Sequence, residues 1–301
     1  MSKPLVSIIM PSYNRGYMIE SAIESVLAQS FGQWELLIID NSSTDNTVDI
    51  IKSKTDKRIR LFNTNNFGIV NKSRNIGLEN ARGEFIALLD TDDSWEPQKL
   101  RKSLDELQKG VDVVYHDLFL IKNKNLTKSI LPTWTMHAPI KSDLLERGNA
   151  INNTSAVIRK KVLVAAGGFC EIESLNGWED YGTWLSVSEK TNKFSRIEGV
   201  LGSYTISPDS VSAPQRSIKA ANYISEKYFN DDVLPNWLSY SIASSSFQTW
   251  DFLTAYRHSK SVIVNFWSGI PSPKVFAIFI LSLFFIPFCF FFPKKDKNVS
   301  C

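Results

Sequence analysis

Cysteine is scarce in this sequence: three in 301 residues, Cys170, Cys289 and Cys301. They stand at no metal-ligand spacing and form no even-numbered set. That excludes a disulfide scaffold and points to a reducing compartment. No Gly-x-Gly-x-x-Gly turn occurs, so dinucleotide-dependent oxidoreduction lacks its fingerprint. The main body has no long basic run, and a net charge of +3 is too small to draw a nucleic acid. Internal repeats and low-complexity linkers are missing, and 43% hydrophobic against 22% charged residues excludes disorder as the leading description. The apolar run over residues 5–10 is too short for a signal-peptide core and lacks a small-residue cleavage site. A domain that stays in the cytoplasm is the expectation.

What is present in the first half is an alternation of strand and helix signals. A buried strand over residues 5–10 is stopped by Pro11-Ser12-Tyr13-Asn14. Met18, Ile19, Ala22, Ile23, Val26 and Leu27 then recur at three-and-four spacing, which puts them on one helix face. A second strand over 34–39 ends at Asp40, and Ser43-Thr44-Asp45 opens a helix. A short strand over 60–62 leads to a helix over 73–81. A fourth strand over 85–89 runs into an acidic cluster. Pro97 sits at a helix start, where a missing amide costs nothing, and residues 111–115 form a fifth strand. Strands separated by single helices imply an α/β fold, with right-handed crossovers and a mainly parallel sheet flanked by helices. Ligands of such sheets gather beyond the strands' carboxyl ends, where Asp40 and Asp90 both stand. The second half is less regular: a strand over 154–158, a Gly167-Gly168-Phe169 turn, a helix led by Trp178-Glu179-Asp180, a strand over 200–206 and a helix over 220–229.

Three constellations can carry chemistry. Asp90-Thr91-Asp92-Asp93 packs three carboxylates into four residues, which repel unless a cation or donor groups offset them. Alternate residues of extended chain point the same way, so Asp90 and Asp92 can face one hard divalent ion shared with substrate phosphates. The bland alternative is an acidic turn, with Asp93 or Ser94 capping the next helix. Asp40-Asn41-Ser42-Ser43-Thr44-Asp45 reads as an Asx-type turn at Asn41 and Ser43, but Asp40 follows a run of apolar residues and can accept from an imide N–H such as that of uracil. Glu179-Asp180 sits among Trp178, Tyr181 and Trp184, surroundings that raise a carboxylate's pKa and make it a better base. Its alternative is an ordinary acidic first helical turn.

These residues together resemble the family 2 glycosyltransferases, which share the GT-A fold. Ser7-Ile8-Ile9-Met10-Pro11-Ser12-Tyr13-Asn14-Arg15 is similar to that family's opening strand, and Ile39-Asp40-Asn41-Ser42-Ser43-Thr44-Asp45 to its second-strand motif. Ser73-Arg74-Asn75-Ile76-Gly77, Ala81-Arg82-Gly83-Glu84-Phe85-Ile86 and Asp90-Thr91-Asp92 complete the nucleotide half. Gly167-Gly168-Phe169 and Trp178-Glu179-Asp180-Tyr181 resemble the acceptor half. The motifs run in order over roughly the first 210 residues. The resemblance implies a nucleotide site of Pro11, Ser12, Tyr13, Asn14, Arg15, Asp40, Arg74, Asn75, Asp90 and Thr91. It implies Mg²⁺ or Mn²⁺ held by Asp92 with Asp90, and sugar contacts from Trp178, Glu179 and Asp93. Asp180 would be the general base of a single, inverting displacement. The implied reaction moves one sugar from a nucleotide-sugar, UDP-linked by expectation, to a glycan or polyprenyl-diphosphate-linked acceptor in envelope glycan assembly.

Two departures stand out. Relatives carry a Tyr-Arg-x-His-Pro stretch where this chain reads Tyr204-Thr205-Ile206-Ser207-Pro208, with serine in place of the histidine. The processive synthases' Gln-x-x-Arg-Trp motif has no match at Gln215-Arg216, which favours transfer of single sugars. His116-Asp117, adjacent on a strand, point to opposite faces and read as structural or acceptor-side groups. Residues 275–292 are almost wholly apolar, bracketed by Lys274 and Lys294-Lys295, and near the lower length limit for a span. Pro287 would kink a helix there. The expectation is a shallow or re-entrant membrane segment at the cytoplasmic face of the inner membrane. The domain boundaries expected are 1–215 (nucleotide half 1–115, acceptor half 116–215), a helical region 216–272, and a membrane segment with basic tail 273–301.

Overall fold

The computed structural model describes residues 4–66, 68–122, 125–131, 133–206, 213–229, 233–264 and 273–291. It divides into two compact units. The first holds residues 1–144, 149–172 and 179–210, and the second holds 145–148, 173–178 and 211–301.

The first unit is α/β. In chain order its elements are β1 (Val6–Ser12), α1 (Ile19–Leu27), β2 (Trp34–Asp40), α2 (Thr47–Ser53), β3 (Ile59–Asn63), α3 (Val70–Asn80), β4 (Phe85–Leu88) and β5 (Ser94–Trp95). There follow α4 (Lys99–Leu107), β6 (Val113–Lys122), β7 (Asn125–Leu131), α5 (Ile140–Arg147), β8 (Val157–Arg159), α6 (Lys160–Ala165), α7 (Glu179–Ser188) and β9 (Phe194–Ile206). Among the described residues, nine strands form one sheet in the order β3-β2-β1-β4-β8-β6-β9-β5, with β7 paired to β6.

The half from β3 to β4 is parallel, as the alternating strand and helix signals require. The other half corrects the expectation of a mainly parallel sheet. β8 inserts antiparallel between β4 and β6, and β5 and β7 also pair antiparallel, so the sheet is mixed. The physical reason is chain path. The short β8 follows a turn of 3₁₀ helix at Asn153–Ser155, with no crossover helix directly before it. β9 is also longer than expected, because its first residues, Phe194–Ile197, pair parallel with β6.

β1 and β2 are buried along nearly their whole length, hence their unbroken apolar runs. α1 lays Ile19, Ala22, Ile23 and Val26 on that sheet, fully buried. On α3, a Cβ at Gly77 would come within 2.6 Å of Ile9 and 3.0 Å of Ile39, so glycine is what lets α3 lie close over β1 and β2. That close seat brings Asn71 and Arg74 of the same helix to the carboxyl end of β4.

The second unit is helical: α8 (Pro214–Tyr228), α9 (Asn236–Gln248), α10 (Phe252–Val264) and α11 (Pro273–Phe291). Aromatic stacking ties α10 to α11, with Phe252 on Phe285 at 5.2 Å and Tyr256 on Phe279 at 5.2 Å. Among the described residues no helix is long and apolar enough to cross a membrane. The expected membrane segment over 275–292 therefore finds no support as a span. Part of its apolar content, Phe279 and Phe285, is spent on α10. The side chains of residues 286–291 and all of 292–301 lie outside the described residues.

Candidate active site

Two adjacent parallel strands open the site, with Ser12 at the end of β1 in register with Asp40 at the end of β2. Their loops brace each other. The Asn14 amide donates to Ser43 Oγ at 2.8 Å, and the Thr44 amide to Asn14 Oδ1 at 2.8 Å. The amides of Arg15 and Gly16 donate to Thr47 Oγ1 at 2.8 Å and Asp45 Oδ2 at 3.0 Å. Asn14 adopts φ 49°, a left-handed backbone that asparagine tolerates better than most residues. Asp40 is buried and closes an Asx turn, accepting from the Ser43 amide at 2.8 Å and the Ser43 hydroxyl at 2.6 Å. A carboxylate has about four lone-pair sites, so Asp40 keeps acceptor capacity beyond these two bonds. Tyr13 stands exposed beside this cradle.

Beyond β4 the chain enters the acidic turn, and Arg74 of α3 organises it. This arginine is 3% exposed. Its Nη2 donates to Asp90 Oδ1 at 2.8 Å, while Nη1 donates to Asn71 Oδ1 at 2.7 Å and reaches Glu179 Oε1 at 3.5 Å. Turned so that its oxygen faces these donors, the Asn153 amide accepts from both guanidinium nitrogens at 3.1 and 3.2 Å. Burial disfavours the guanidinium's charge, but Asp90 and Glu179 outweigh that and hold its pKa above the ordinary value. One buried cation thus joins the end of β4 to the start of α7.

Asp92 and Asp93 part company. Burial, then the neighbouring charge of Asp90, raises the Asp92 carboxyl to about 6. Asp93 is buried and turned inward, accepting from the Thr154 hydroxyl and, at 2.9 Å, from the Thr205 amide. Burial and the charges of Asp92 and Asp90 push its carboxyl well up. The Thr205 hydroxyl in turn donates to the Asp92 carbonyl. Asp93 therefore fastens the turn to β9 and the 3₁₀ segment. Asn75, on the same helix as Arg74, is engaged elsewhere. Its amide makes a two-way pair with the backbone of Phe169, at 2.8 and 3.0 Å, and donates to Glu171 Oε1 at 2.6 Å. It pins the Gly-Gly-Phe turn.

Asp180 is the second residue of α7, where the helix dipole favours an anion. Its Oδ1 accepts from the Tyr181 amide at 2.7 Å and its Oδ2 from Asn149 Nδ2 at 2.9 Å. Burial, then the Glu179 charge, raises this carboxyl to about 7. Tyr204 of β9 is half-buried, and its phenol is pushed up by burial and by Asp93, Asp90, Asp92 and Asp180. It sits within the field of all four carboxylates. Sequence reasoning missed Asn149, Asn71 and Asn153, because the side-chain hydrogen bonds that matter at these positions leave no periodic signal. Ser207 lies outside the described residues, and Trp178 falls in the helical unit with its ring 5.9 Å from Trp237. His116 is buried, and Asp117 is held by Thr133 and Arg196.

Among the described residues no group of three or more His, Cys, Asp or Glu side chains is arranged to hold a metal ion. The arrangement still suits one class of ion. Mg²⁺ and its kind are held by one or two carboxylates together with water and substrate phosphates. Asp90 and Asp92, mutually repelling, are such a pair.

The family model described as Glycosyl transferase family 2 matches residues 7–163. Over 216 residues the chain is 33% identical to the Escherichia coli UDP-Glc:alpha-D-GlcNAc-diphosphoundecaprenol beta-1,3-glucosyltransferase WfgD, covering 71% of this chain and 81% of WfgD. S. aureus TarS 1-349 in complex with UDP-GlcNAc superposes with a TM-score of 0.60 at 19% identity, covering 92% of this chain and 79% of TarS. The mannosyltransferase PcManGT from Pyrobaculum calidifontis, in complex with GDP-Man and Mn²⁺, gives a TM-score of 0.57 at 16% identity, with 97% and 84% covered. At these identities the two solved structures speak for the fold, a GT-A-like α/β domain.

Proposed function

This chain belongs to the family 2 glycosyltransferases, and from that membership we propose that it moves one sugar, with inversion, from a UDP-sugar to a hydroxyl of a polyprenyl-diphosphate-linked glycan. The observation that carries the reading is Arg74. One buried guanidinium ties Asp90, at the donor end, to Glu179 beside Asp180. Donor-binding and bond-making groups are thereby held in one constellation.

The chain's own residues divide the work as follows. The cradle of residues 11–15 and Asp40 receives the nucleoside, with Asp40 accepting from a uracil imide N–H. Arg15, whose charge already lowers the Asp92 carboxyl's pKa, is available to the diphosphate. Asp90 and Asp92 would hold Mg²⁺ or Mn²⁺. When bound, the ion offsets the charge that develops on the departing nucleoside diphosphate. Asp180 takes the proton of the acceptor hydroxyl. That oxygen bonds to the anomeric carbon as the bond from carbon to the diphosphate oxygen breaks. One in-line displacement inverts the centre.

The acceptor class rests on WfgD, named for a diphosphoundecaprenol-linked substrate. Such a substrate lies in a membrane, so the enzyme must work at the cytoplasmic membrane surface. The outward residues Phe276, Ile280 and Phe284 of α11, spaced four apart and exposed, support peripheral attachment there.

The test is UDP release by purified protein with a panel of UDP-sugars, Mn²⁺ or Mg²⁺, and membrane lipid extract as acceptor. Turnover should require the acceptor, stop with EDTA and return with excess Mn²⁺. Asp92→Asn should lower kcat on the order of a hundredfold and raise the metal concentration needed. If UDP binds and no sugar turns over with any acceptor, the chain is a binding module.

A further inference from the structure

Asp180 is oriented by a residue that no motif marks. Asn149 lies in the segment between α5 and β8 and is half-buried. Its Nδ2 donates to Asp180 Oδ2 at 2.9 Å, while its Oδ1 accepts from the Ile151 amide at 3.0 Å. Both ends of the amide are therefore engaged, which fixes its orientation. The segment that bears it is itself tightly held. Trp184 Nε1, from α7, donates to the Ile151 carbonyl at 3.1 Å, with Ile151 1% and Trp184 0% exposed. Asn152 Oδ1 caps the Thr154 amide at 2.9 Å, Trp95 Nε1 donates to the Thr154 carbonyl at 2.8 Å, and the Thr154 hydroxyl reaches Asp93. A short stretch of backbone thus runs from the acidic turn to Asp180, anchored at both ends by buried tryptophans.

We propose that Asn149 is a positioning residue of the transferase. It donates to one oxygen of Asp180, fixes the rotamer of that carboxylate, and favours its charged form, while the anchored 149–154 segment keeps Asn149 in register with the acidic turn. This inference rests on the reading of Asp180 as the base. Asp180 Oδ1 is taken by the Tyr181 amide, so Asn149 controls the remaining oxygen. A hydrogen bond to the ionised form favours that form. Among the described residues, the other charged or titratable groups that act on Asp180 are Glu179 on α7, Arg74 on α3 and Tyr204 on β9. None of them belongs to the segment that carries Asn149, so a change at Asn149 can be read separately from them.

The experiment is the pH dependence of kcat/KM for sugar transfer in wild type, Asn149→Ala, Asn149→Asp and Asp180→Asn, with UDP affinity and thermal midpoints measured in parallel. In Asn149→Ala the acid limb should move up by about one pH unit, the size of one lost hydrogen bond to a charged group. The kcat plateau should fall and UDP affinity stay the same. Asn149→Asp places a second carboxylate beside Asp180 and should move the limb further in the same direction. Acid limbs at the wild-type position in both Asn149 variants would overturn the inference while leaving the base assignment intact. A merely structural role would lower the thermal midpoint without moving the limb, and counts against the inference. Wild-type turnover in Asp180→Asn would instead overturn the base assignment itself.

Discussion

Asp180→Asn should bind UDP and metal like the wild type and lose between about a hundredfold and ten-thousandfold in kcat, the range a positioned general base contributes. Asparagine keeps the size of the side chain, so the surrounding helix and loop stay as they are, and what is lost is the ability to take a proton. The pH profile follows from the same carboxyl. Burial and Glu179 raise it to about 7, and only the carboxylate acts as base. In the wild type kcat/KM should therefore climb with pH up to about 7 and then level, and this limb should be missing from the residual activity of Asp180→Asn. Stability runs the opposite way. A carboxyl whose folded pKa lies above its ordinary 3.8 stabilises the fold below 3.8, and that contribution is lost as pH rises through 7. Without metal, the melting midpoint of Asp180→Asn should gain on the wild type between pH 5 and pH 8. A gap that stays constant across that range would contradict the shifted carboxyl.

The second large effect belongs to Arg74. Arg74→Met should lose both activity and stability, because it strips the shared cation from Asp90 and Glu179 inside a ring that also holds Asp92, Asp93 and Asp180. Breaking a buried ion pair costs about 3–5 kcal/mol. The lower end applies here, since Asp90 and Glu179 remain 30% and 19% exposed and water recovers part of the loss. Denaturant unfolding should show about 3 kcal/mol of destabilisation, more at pH 8 than at pH 5, because Asp92 and Asp180, raised to about 6 and about 7, are ionised at the higher pH and then lack the guanidinium that offsets their charge. Arg74→Lys should rescue little, as an ammonium offers no planar fork to span Asp90, Asn71 and Asn153. Full rescue by lysine would mean that charge alone matters at this position.

The legible part of the structure is the part built from repetition. β1 to β4 with their helices follow from runs and spacings of apolar residues, and Asp40 and Asp90 were placed by the rule that strand carboxyl ends carry ligands. The rest has few residues per feature. β8 is three residues long, too short to show a period, yet it decides that the sheet is mixed. The two faces of the acidic turn could not be read from spacing, because what turns Asp93 inward is Thr205, 112 residues away in sequence. Asn75 sits one position from Arg74 in the same motif, but helix geometry sends them to different partners, one to the Phe169 backbone and one to the acidic turn. Asn149 lies in a loop whose pattern carries no mark of chemistry. The apolar run at 275–292 was visible, but its stacking against Phe252 and Tyr256 was not.

The most direct test of the central claim is the anomeric configuration of the product. A UDP-sugar, Mn²⁺ and a synthetic polyprenyl-diphosphate-linked sugar would be incubated with the enzyme, and the new linkage read by proton NMR. One displacement assisted by Asp180 requires a new linkage whose configuration is opposite to the donor's. A linkage of the same configuration as the donor's would contradict it.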